Sequence, residues 1–178
     1  QAQLIKQLQE KQKEQEGVVE ALGGKMSTTG SQVEELRRAQ AVERVSFSAS
    51  LQVSGHGPHI GPLNPPPILA YKHVITNIGN HYNPNTGIFT APVRGVFHFL
   101  VFVYGGAGRG TGVSLNKNGD PIVNAYSHPA GGTVSSSNGA SLLLEVGDVV
   151  YVKLGHGAWV YDSVNHHTTF SGHLLFPM

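Results

Sequence analysis

Apolar and polar residues follow two different periods along this chain, and the change falls near Arg44. Up to that point a seven-residue repeat can be followed, and seven of its twelve a and d positions are apolar. These apolar positions are Ile5, Leu8, Val19, Leu22, Met26, Val33 and Leu36. A repeat of this kind predicts an amphipathic helix that associates with other helices through its apolar seam, as in a coiled coil.

Glycines and a capping pattern predict that this helical segment is interrupted. Gly23–Gly24 predicts the end of a first helix, and Gly30 interrupts any continuation. Ser31 and Glu34 have the spacing of a capping box, which predicts a second helix over 33–43. Helices of this length are marginal alone, so we expect them to fold through association; the alternative is a solvated linker.

Beyond Arg44 the pattern changes to alternation and short apolar runs. Val45, Phe47, Ala49 and Leu51 alternate with serines, which predicts a half-buried strand. The run 96–104 is so apolar that it predicts a strand covered on both faces. Further strands are predicted at 113–115, at 142–146 paired with 149–154, and at 170–176. Short strands at this spacing, with Gly-rich turns between them, indicate an all-β sandwich or jelly roll.

Turn residues separate these strands. Asn118-Gly119 predicts a two-residue hairpin turn. The segment 83–87 reads NPNTG and predicts a turn, since Pro fixes φ and Gly supplies a positive φ. The segments 54–67, 105–112 and 126–140 are predicted as loops, and we expect binding specificity to lie in them.

Composition changes at the same boundary. Residues 1–44 hold seven basic and seven acidic residues, whereas 45–178 hold nine charged residues and all ten histidines and ten prolines. This split predicts a helical stalk, residues 1–44, followed by a globular β domain, residues 45–178, which we call the head.

The overall charge and the residue types narrow the classes of function. A formal net charge of +1 provides no strong field to attract nucleic acid or anionic membranes. The absence of cysteine excludes disulfides and Cys-ligated zinc, and no apolar run approaches the roughly 18 residues of a membrane span. Gln1 begins a polar segment rather than a secretory leader, and maturation of a longer form is one explanation.

The segment 77–99 carries a dense series of matches to one known pattern. The matching residues are Asn77, Tyr82, Asn83, Pro84, Thr86, Gly87, Phe89, Thr90, Ala91, Pro92, Val93, Gly95, Phe97 and Phe99. This series closely resembles the signature of the globular C1q domain. The segments 45–49, 141–154 and 169–175 resemble other blocks of that family in the same order, so the resemblance extends over 45–178.

The resemblance implies a ten-stranded jelly roll of the kind shared with tumour necrosis factor, secreted and assembled as a homotrimer. Gly95, Phe97, Phe170 and Leu175 match positions that the family uses for core and trimer packing. An N-terminal coiled coil resembles the short secreted C1q-like proteins of bony fish. The cerebellins are also similar, but their N-terminal cysteines are missing here, and without a Gly-X-Y repeat the chain matches classical C1q poorly.

The candidate catalytic and metal-binding patterns do not indicate an enzyme. His166 and His167 are adjacent, so on a strand they would point to opposite faces and could not readily share a metal ion. The Gly-rich segment 105–112 precedes a strand and lacks Gly-Lys-Ser/Thr, so a loop is expected rather than a phosphate cradle. No Gly-x-Ser-x-Gly elbow frames a serine nucleophile.

Calcium is a candidate ligand because many C1q domains bind it. In a gapless alignment, two positions that are Asp in some members are Ser127 and Ser135 here. In a second loop that is rich in Asp in other members, only Asp162 is acidic. Because calcium prefers carboxylate ligands, we expect no metal at these positions, with weak binding through backbone and amide oxygens as the open alternative.

These observations predict a secreted, non-enzymatic, trimeric recognition protein. By resemblance, the expected role is pattern recognition in innate immunity, with microbial surface ligands and no cofactor. The alternative is a cerebellin-like or cytokine-like trimeric ligand of a cell-surface receptor. A purely structural oligomeriser is a third interpretation.

Overall fold

The computed structural model describes residues 1–42, 44–51, 59–106, 108–128 and 131–178. Within these ranges the chain forms one helix and ten strands. It divides into two compact units, Gln1–Ala41 and Val42–Met178.

The first unit is a single continuous helix, α1, Ala2–Val42. The predicted interruption at Gly23–Gly24 and Gly30 is therefore wrong. A glycine weakens a helix through backbone entropy, at about 1 kcal/mol relative to alanine, but it keeps its amide donor and causes no clash. Ser31 does not cap a second helix either, because its hydroxyl donates to the carbonyl of Ser27 at 3.2 Å within the helix.

The apolar seam of α1 is exposed over the part of the helix whose side chains the structure describes. Its large apolar side chains are all exposed, from 43% for Val33 to 80% for Met26. Among the described residues, no helical stretch combines the length and the apolar character that a membrane crossing requires. The predicted seam therefore exists as an uncovered apolar surface, and its assembly into a coiled coil stays a prediction.

The second unit contains ten strands. They are β1 Ser46–Ser50, β2 His73–Ile78, β3 Tyr82–Asn83, β4 Ile88–Thr90, β5 Gly95–Gly106, β6 Thr111–Lys117, β7 Asp120–Ser127, β8 Thr133–Leu144, β9 Val149–Leu154 and β10 Thr169–Pro177. They form two five-stranded sheets, with the order β2-β1-β10-β5-β8 in the first and β3-β4-β9-β6-β7 in the second. This arrangement confirms the predicted ten-stranded jelly-roll sandwich.

The strands predicted at 142–146 and 149–154 are present but do not pair with each other. β8 pairs along its whole length with β5, from Gly95 with Leu144 to Gly106 with Thr133. β9 lies in the other sheet, between β4 and β6. The turn at Gly147 therefore joins the two sheets rather than closing a hairpin.

β5 buries one face rather than the predicted two. Phe97, Phe99, Val101 and Val103 point into the core and are fully buried, whereas the intervening residues are partly or largely exposed. Phe102 is 44% exposed. The apolar outer face of this strand is therefore uncovered in the single chain.

Aromatic rings fill the space between the sheets. The Phe47 ring stacks on Tyr82 at 4.7 Å and meets the edge of Phe170 at 4.9 Å between ring centroids. Gly172 allows this packing, because a Cβ there would lie 2.5 Å from the Phe99 ring and 2.6 Å from the Phe47 ring. The close packing of these rings therefore requires a glycine at position 172.

Both predicted turns are confirmed. Asn118 and Gly119 have φ of 51° and 104°, and they connect the paired residues Lys117 and Asp120. Positive φ at both central residues is what a type I′ hairpin requires. In the turn 83–87, Gly87 has φ of 76°, and a Cβ at this position would collide with the carbonyl of Leu69.

A carboxylate holds the β6–β7 turn against the β8–β9 turn. Asp148 accepts hydrogen bonds from Asn118 Nδ2 and from the Glu145 amide, each at 2.9 Å, and lies 3.1 Å from Lys117 Nζ. The Asn118 side chain, the Glu145 amide and then Lys117 lower the pKa of Asp148 from 3.8 to about 2. Since these partners favour the ionised form, the carboxylate stabilises the fold at neutral pH.

Asp148→Asn is expected to reduce the free energy of unfolding by about 1 kcal/mol at neutral pH. The reason is that the new side-chain NH2 would face either Asn118 Nδ2 or the Glu145 amide, and each of these groups is itself a donor. A pKa lowered in the folded state gives a contribution that is present above 3.8 and is lost as pH falls through about 2. The difference in unfolding free energy between Asp148→Asn and the parent chain, measured by urea unfolding, should therefore decrease as pH falls from 3.8 to about 2. Asp120→Asn, at an exposed hairpin position, is the control. A difference independent of pH would contradict the assignment.

Candidate functional site

A cavity lined by aromatic residues lies beside the C-terminal end of β5 and the N-terminal end of β8. Its volume is about 300 Å³. The lining residues are His59, Tyr104, Gly105, Gly106, Thr133, Trp159 and Tyr161. We call it the aromatic pocket. It brings together members of all three segments expected to carry specificity, since His59, Gly105–Gly106 and Thr133 come from 54–67, 105–112 and 126–140 respectively.

Backbone pairing holds the walls of the aromatic pocket in place. The Tyr161 amide donates to the Tyr104 carbonyl at 2.7 Å, and the Trp159 amide donates to the Gly110 carbonyl at 3.1 Å. The Thr168 hydroxyl donates to the Tyr161 carbonyl at 2.6 Å and accepts from the Tyr104 amide at 3.1 Å. The segment that follows β9 is thereby tied to the end of β5.

The rings meet one another mainly at an angle. The centroid of His59 lies 3.7 Å from that of Trp159 and 5.1 Å from that of Tyr161. Tyr104 and Tyr161 are 5.9 Å apart at an interplanar angle of 52°. His59 is exposed and Trp159 is only 5% exposed, so the indole forms the deep wall and the imidazole lies at the surface.

The polar groups of the aromatic pocket are hydrogen-bonding side chains, with no carboxylate, ammonium or guanidinium among the described lining residues. The described lining residues supply two phenol hydroxyls, the Thr133 hydroxyl, an imidazole and an indole, and they include no Asp, Glu, Lys or Arg. The indole Nε1 of Trp159 is buried and has no hydrogen-bond partner in the described part of the chain. The site therefore combines aromatic rings with hydrogen-bond donors and acceptors.

The outer face of the first sheet is a second candidate surface. Among the described residues, seven exposed large apolar side chains lie on the strands of the first sheet and two on those of the second. On this outer face, Val96 is paired with Leu143 on one side and Phe176 on the other. Phe102 lies further along β5, and His98 faces His173 with ring centroids 5.8 Å apart. We call this surface the open face.

The four predicted packing residues divide between the core and the surface. Phe97 and Phe170 are fully buried in the core cluster. Gly95 is also buried, and a Cβ there would lie 2.7 Å from the Phe176 carbonyl oxygen, so its absence lets the end of β10 lie against β5. Leu175 falls at the irregularity where β10 shifts register against β5, and it is 48% exposed. Their role in trimer packing stays a prediction.

The family calcium positions lie one in each sheet. Ser127 ends β7 and Ser135 lies in β8, opposite Tyr104. Their neighbours are connected, because the Ser136 hydroxyl donates to the Tyr126 carbonyl at 3.3 Å. Within the described ranges, no group of three or more His, Cys, Asp or Glu side chains is placed to hold a metal ion. Weak calcium binding through other oxygens stays an open alternative.

Other predicted features are placed differently from expectation. His166 and His167 follow a turn and lie outside any strand. Their rings have different partners, because His166 stacks on His73 at 4.2 Å and His167 on Tyr104 at 4.5 Å. The segment 105–112 is only partly loop, since β5 extends to Gly106 and β6 begins at Thr111. The segment 126–140 is largely strand as well. Positions 52–58, 107 and 129–130 lie outside the described residues.

Trp159 and Tyr161, which line the pocket, were not predicted from the sequence. They follow β9 in a segment with little regular structure, so no periodicity marked them. The available signal was composition, because Trp159 is the one tryptophan of the chain and stands in a Gly-rich stretch.

Comparison with solved structures shows the same sandwich in distant proteins. The globular domain of zebrafish complement 1qA is 17% identical, with a TM-score of 0.58 over 75% of this chain and 99% of that one. The Eiger TNF of S. frugiperda is 12% identical, with a TM-score of 0.60 over 76% and 95% of the two chains. Murine APRIL at pH 5.0 is 12% identical, with a TM-score of 0.57 over 74% and 99%. At these identities the likeness concerns the fold alone.

Comparison with family profiles is more specific. The profile of the C1q domain matches residues 46–175, which is nearly the whole second unit and well over half of the chain. The match begins with β1 and ends within β10. This chain belongs to the C1q-domain family.

Proposed function

We propose that this protein is a secreted trimeric recognition protein of innate immunity, in which the heads bind repeated ligands on microbial surfaces. The observation that carries the proposal is the open face, where Phe102, Leu143 and Phe176 are exposed and Val96 is half-buried, on a sheet whose other face is the core. An apolar surface of this extent on a domain of this size is typical of an interaction site. A second and third copy of the head are the occupants we assign to it.

The exposed seam of α1 supports the same assembly. Apolar side chains at heptad positions, all exposed in the single chain, gain cover when helices associate. A stalk of three helices would hold three heads on one axis. Each head then presents its own copy of the aromatic pocket, and weak individual sites gain avidity on a repetitive surface.

Family membership supports the general part of the proposal. C1q and tumour necrosis factor-like domains generally form trimers and act as non-enzymatic recognition or ligand modules, and C1q-domain proteins are generally secreted. The choice of microbial recognition over receptor signalling rests on the resemblance to fish C1q-like proteins and on the pocket. A cytokine-like ligand of a cell-surface receptor is the competing function.

A trimer is expected when residues 1–178 are examined by sedimentation equilibrium at micromolar concentration. The reason is that both the open face and the seam of α1 leave apolar side chains in water until copies associate. The control is the same measurement in high salt, which should leave an apolar association intact because it screens only charge pairs. A monomer under both conditions would rule out the proposed assembly.

Binding assays on the trimer separate the two functions. The full chain is screened in parallel against microbial polysaccharides on a surface and against a panel of receptor ectodomains. Saturable binding to glycans that falls sharply when the surface density of glycan is lowered supports multivalent recognition. Tight binding to one ectodomain, with no glycan binding, would overturn the proposal in favour of the receptor ligand.

A further inference from the structure

We propose that the aromatic pocket is a subsite for one neutral sugar ring of the microbial glycan. This inference rests on the proposed function and names the site and ligand class within the head. The pocket volume of about 300 Å³ is at the lower end of small-molecule sites, which span roughly 300–1,000 Å³. A cavity of that size accommodates one ring of a longer chain and leaves the rest of the chain in solvent.

The walls match the two-sided chemistry of a sugar ring. A pyranose has an apolar face of C–H groups and a rim of hydroxyls. Tyr104 and Tyr161 supply rings inclined at 52° to each other, Trp159 lines the deep wall, and each of the three also carries a polar group at its edge. Thr133 adds a hydroxyl at the strand end. The pocket therefore offers stacking surface and hydrogen bonds together.

The charges around the pocket favour a neutral ligand. An anionic sugar would need a cation, but the described lining residues include no Lys or Arg. A quaternary ammonium ligand would fit aromatic walls, but it gains further from a nearby carboxylate. The carboxylate nearest in sequence, Asp162, is 2% exposed, and its Oδ1 accepts from the amides of Ser163 and Thr168 instead. It therefore offers little to a cation in the cavity.

The indole of Trp159 holds a buried hydrogen-bond donor beside the pocket. Trp159 is 5% exposed and its Nε1 has no partner among the described residues. A buried N–H without an acceptor is uncommon and unfavourable, because it has lost its bonds to water.

The single tryptophan makes the site directly observable. Because Trp159 is the only tryptophan in the sequence, its emission reports on the aromatic pocket without labelling. The full-length protein is titrated with a neutral mannan and a neutral β-glucan, with a sulfated polysaccharide and choline as charged probes. We expect a saturable change in Trp159 fluorescence with a neutral glycan and none with the charged probes.

Substitutions then test whether binding occurs through these walls. Tyr161→Ala is expected to weaken glycan binding at least tenfold, and Tyr161→Phe, which keeps the ring, by less. Tyr126→Ala is the matched control, since Tyr126 is an exposed tyrosine on β7 that does not line the pocket. Sedimentation and thermal melts confirm that each variant remains assembled and folded. If Tyr161→Ala fails to fold, the glycan affinities of Tyr161→Phe and Tyr126→Ala are compared instead. Weaker binding by Tyr161→Phe supports the pocket assignment, and equal binding contradicts it.

Failure of this inference can be told apart from failure of the proposed function. Suppose that a neutral glycan binds without changing Trp159 emission and that substitution of Tyr161 does not weaken this binding. The recognition function then stands, and the pocket assignment is wrong. A fluorescence response to the sulfated polysaccharide or to choline alone overturns the ligand class. If no glycan binds while a receptor ectodomain does, the proposed function itself fails.

Discussion

Replacing Phe170 by alanine is expected to lower the free energy of unfolding of the head by about 3–5 kcal/mol. Phe170 is fully buried, and its ring centroid lies 4.9 Å from that of Phe47 and 5.7 Å from that of Tyr71. Truncation removes this contact area and leaves a cavity between sheets that backbone hydrogen bonds hold in place. Urea unfolding at a fixed protomer concentration, followed by Trp159 fluorescence, measures the change.

Tyr126→Ala serves as the control for this measurement. It also removes an aromatic ring, but Tyr126 is 57% exposed on β7, so its loss should change stability by less than about 1 kcal/mol. A similarly small effect of Phe170→Ala would place that ring outside the core. The register between β10 and β5, in which Phe170 faces Val101, would then be wrong by one residue.

Introducing a charge on the open face is expected to abolish association of the heads. In a chain shortened to residues 45–178, Phe102→Glu would place one carboxylate per subunit in the proposed interface. Burying an unpaired charge costs several kcal/mol, and a trimer would bury three of them. Without the stalk, the parent head should sediment as a trimer of reduced stability, whereas the variant should be monomeric at micromolar concentration.

Ile122→Glu is the matched control, because Ile122 is an apolar residue of similar exposure on the opposite sheet, 38% against 44% for Phe102. It should leave the shortened head trimeric. If Phe102→Glu also remains trimeric, the subunits associate through another surface. If the unsubstituted head is already monomeric, the stalk alone holds the subunits together.

The helix shows where local signals were misleading. Gly23–Gly24, Gly30 and the Ser31–Glu34 pair predict helix ends, yet α1 continues through all of them. Each glycine adds an entropic penalty but interrupts no hydrogen bond, so a chain of favourable neighbours can carry the helix across it. Whether a weak helix position ends a helix depends on the balance over the whole segment, which a short motif does not report.

Strand pairing shows the opposite case, in which structure arises where the pattern gave no signal. Residues 133–141 are rich in Ser, Gly and Asn and have no clear apolar alternation, yet they form most of β8. Their backbone groups pair with the whole length of β5, and those bonds do not depend on side-chain type. The same pairing places Ser135 opposite Tyr104 and Thr133 at the aromatic pocket.

Local chemistry in the sequence determined the alternation of β1, the turns at 83–87 and 118–119 and the C1q motifs, because each depends on residues close together in the chain. Only the tertiary structure decided which distant residues meet. It joined His59, Tyr104, Thr133 and Trp159 in one cavity, left the outer face of β5 uncovered and separated β8 from β9 into different sheets. These features follow from sheet order and strand register, which are set by the packing of the whole core between the two sheets.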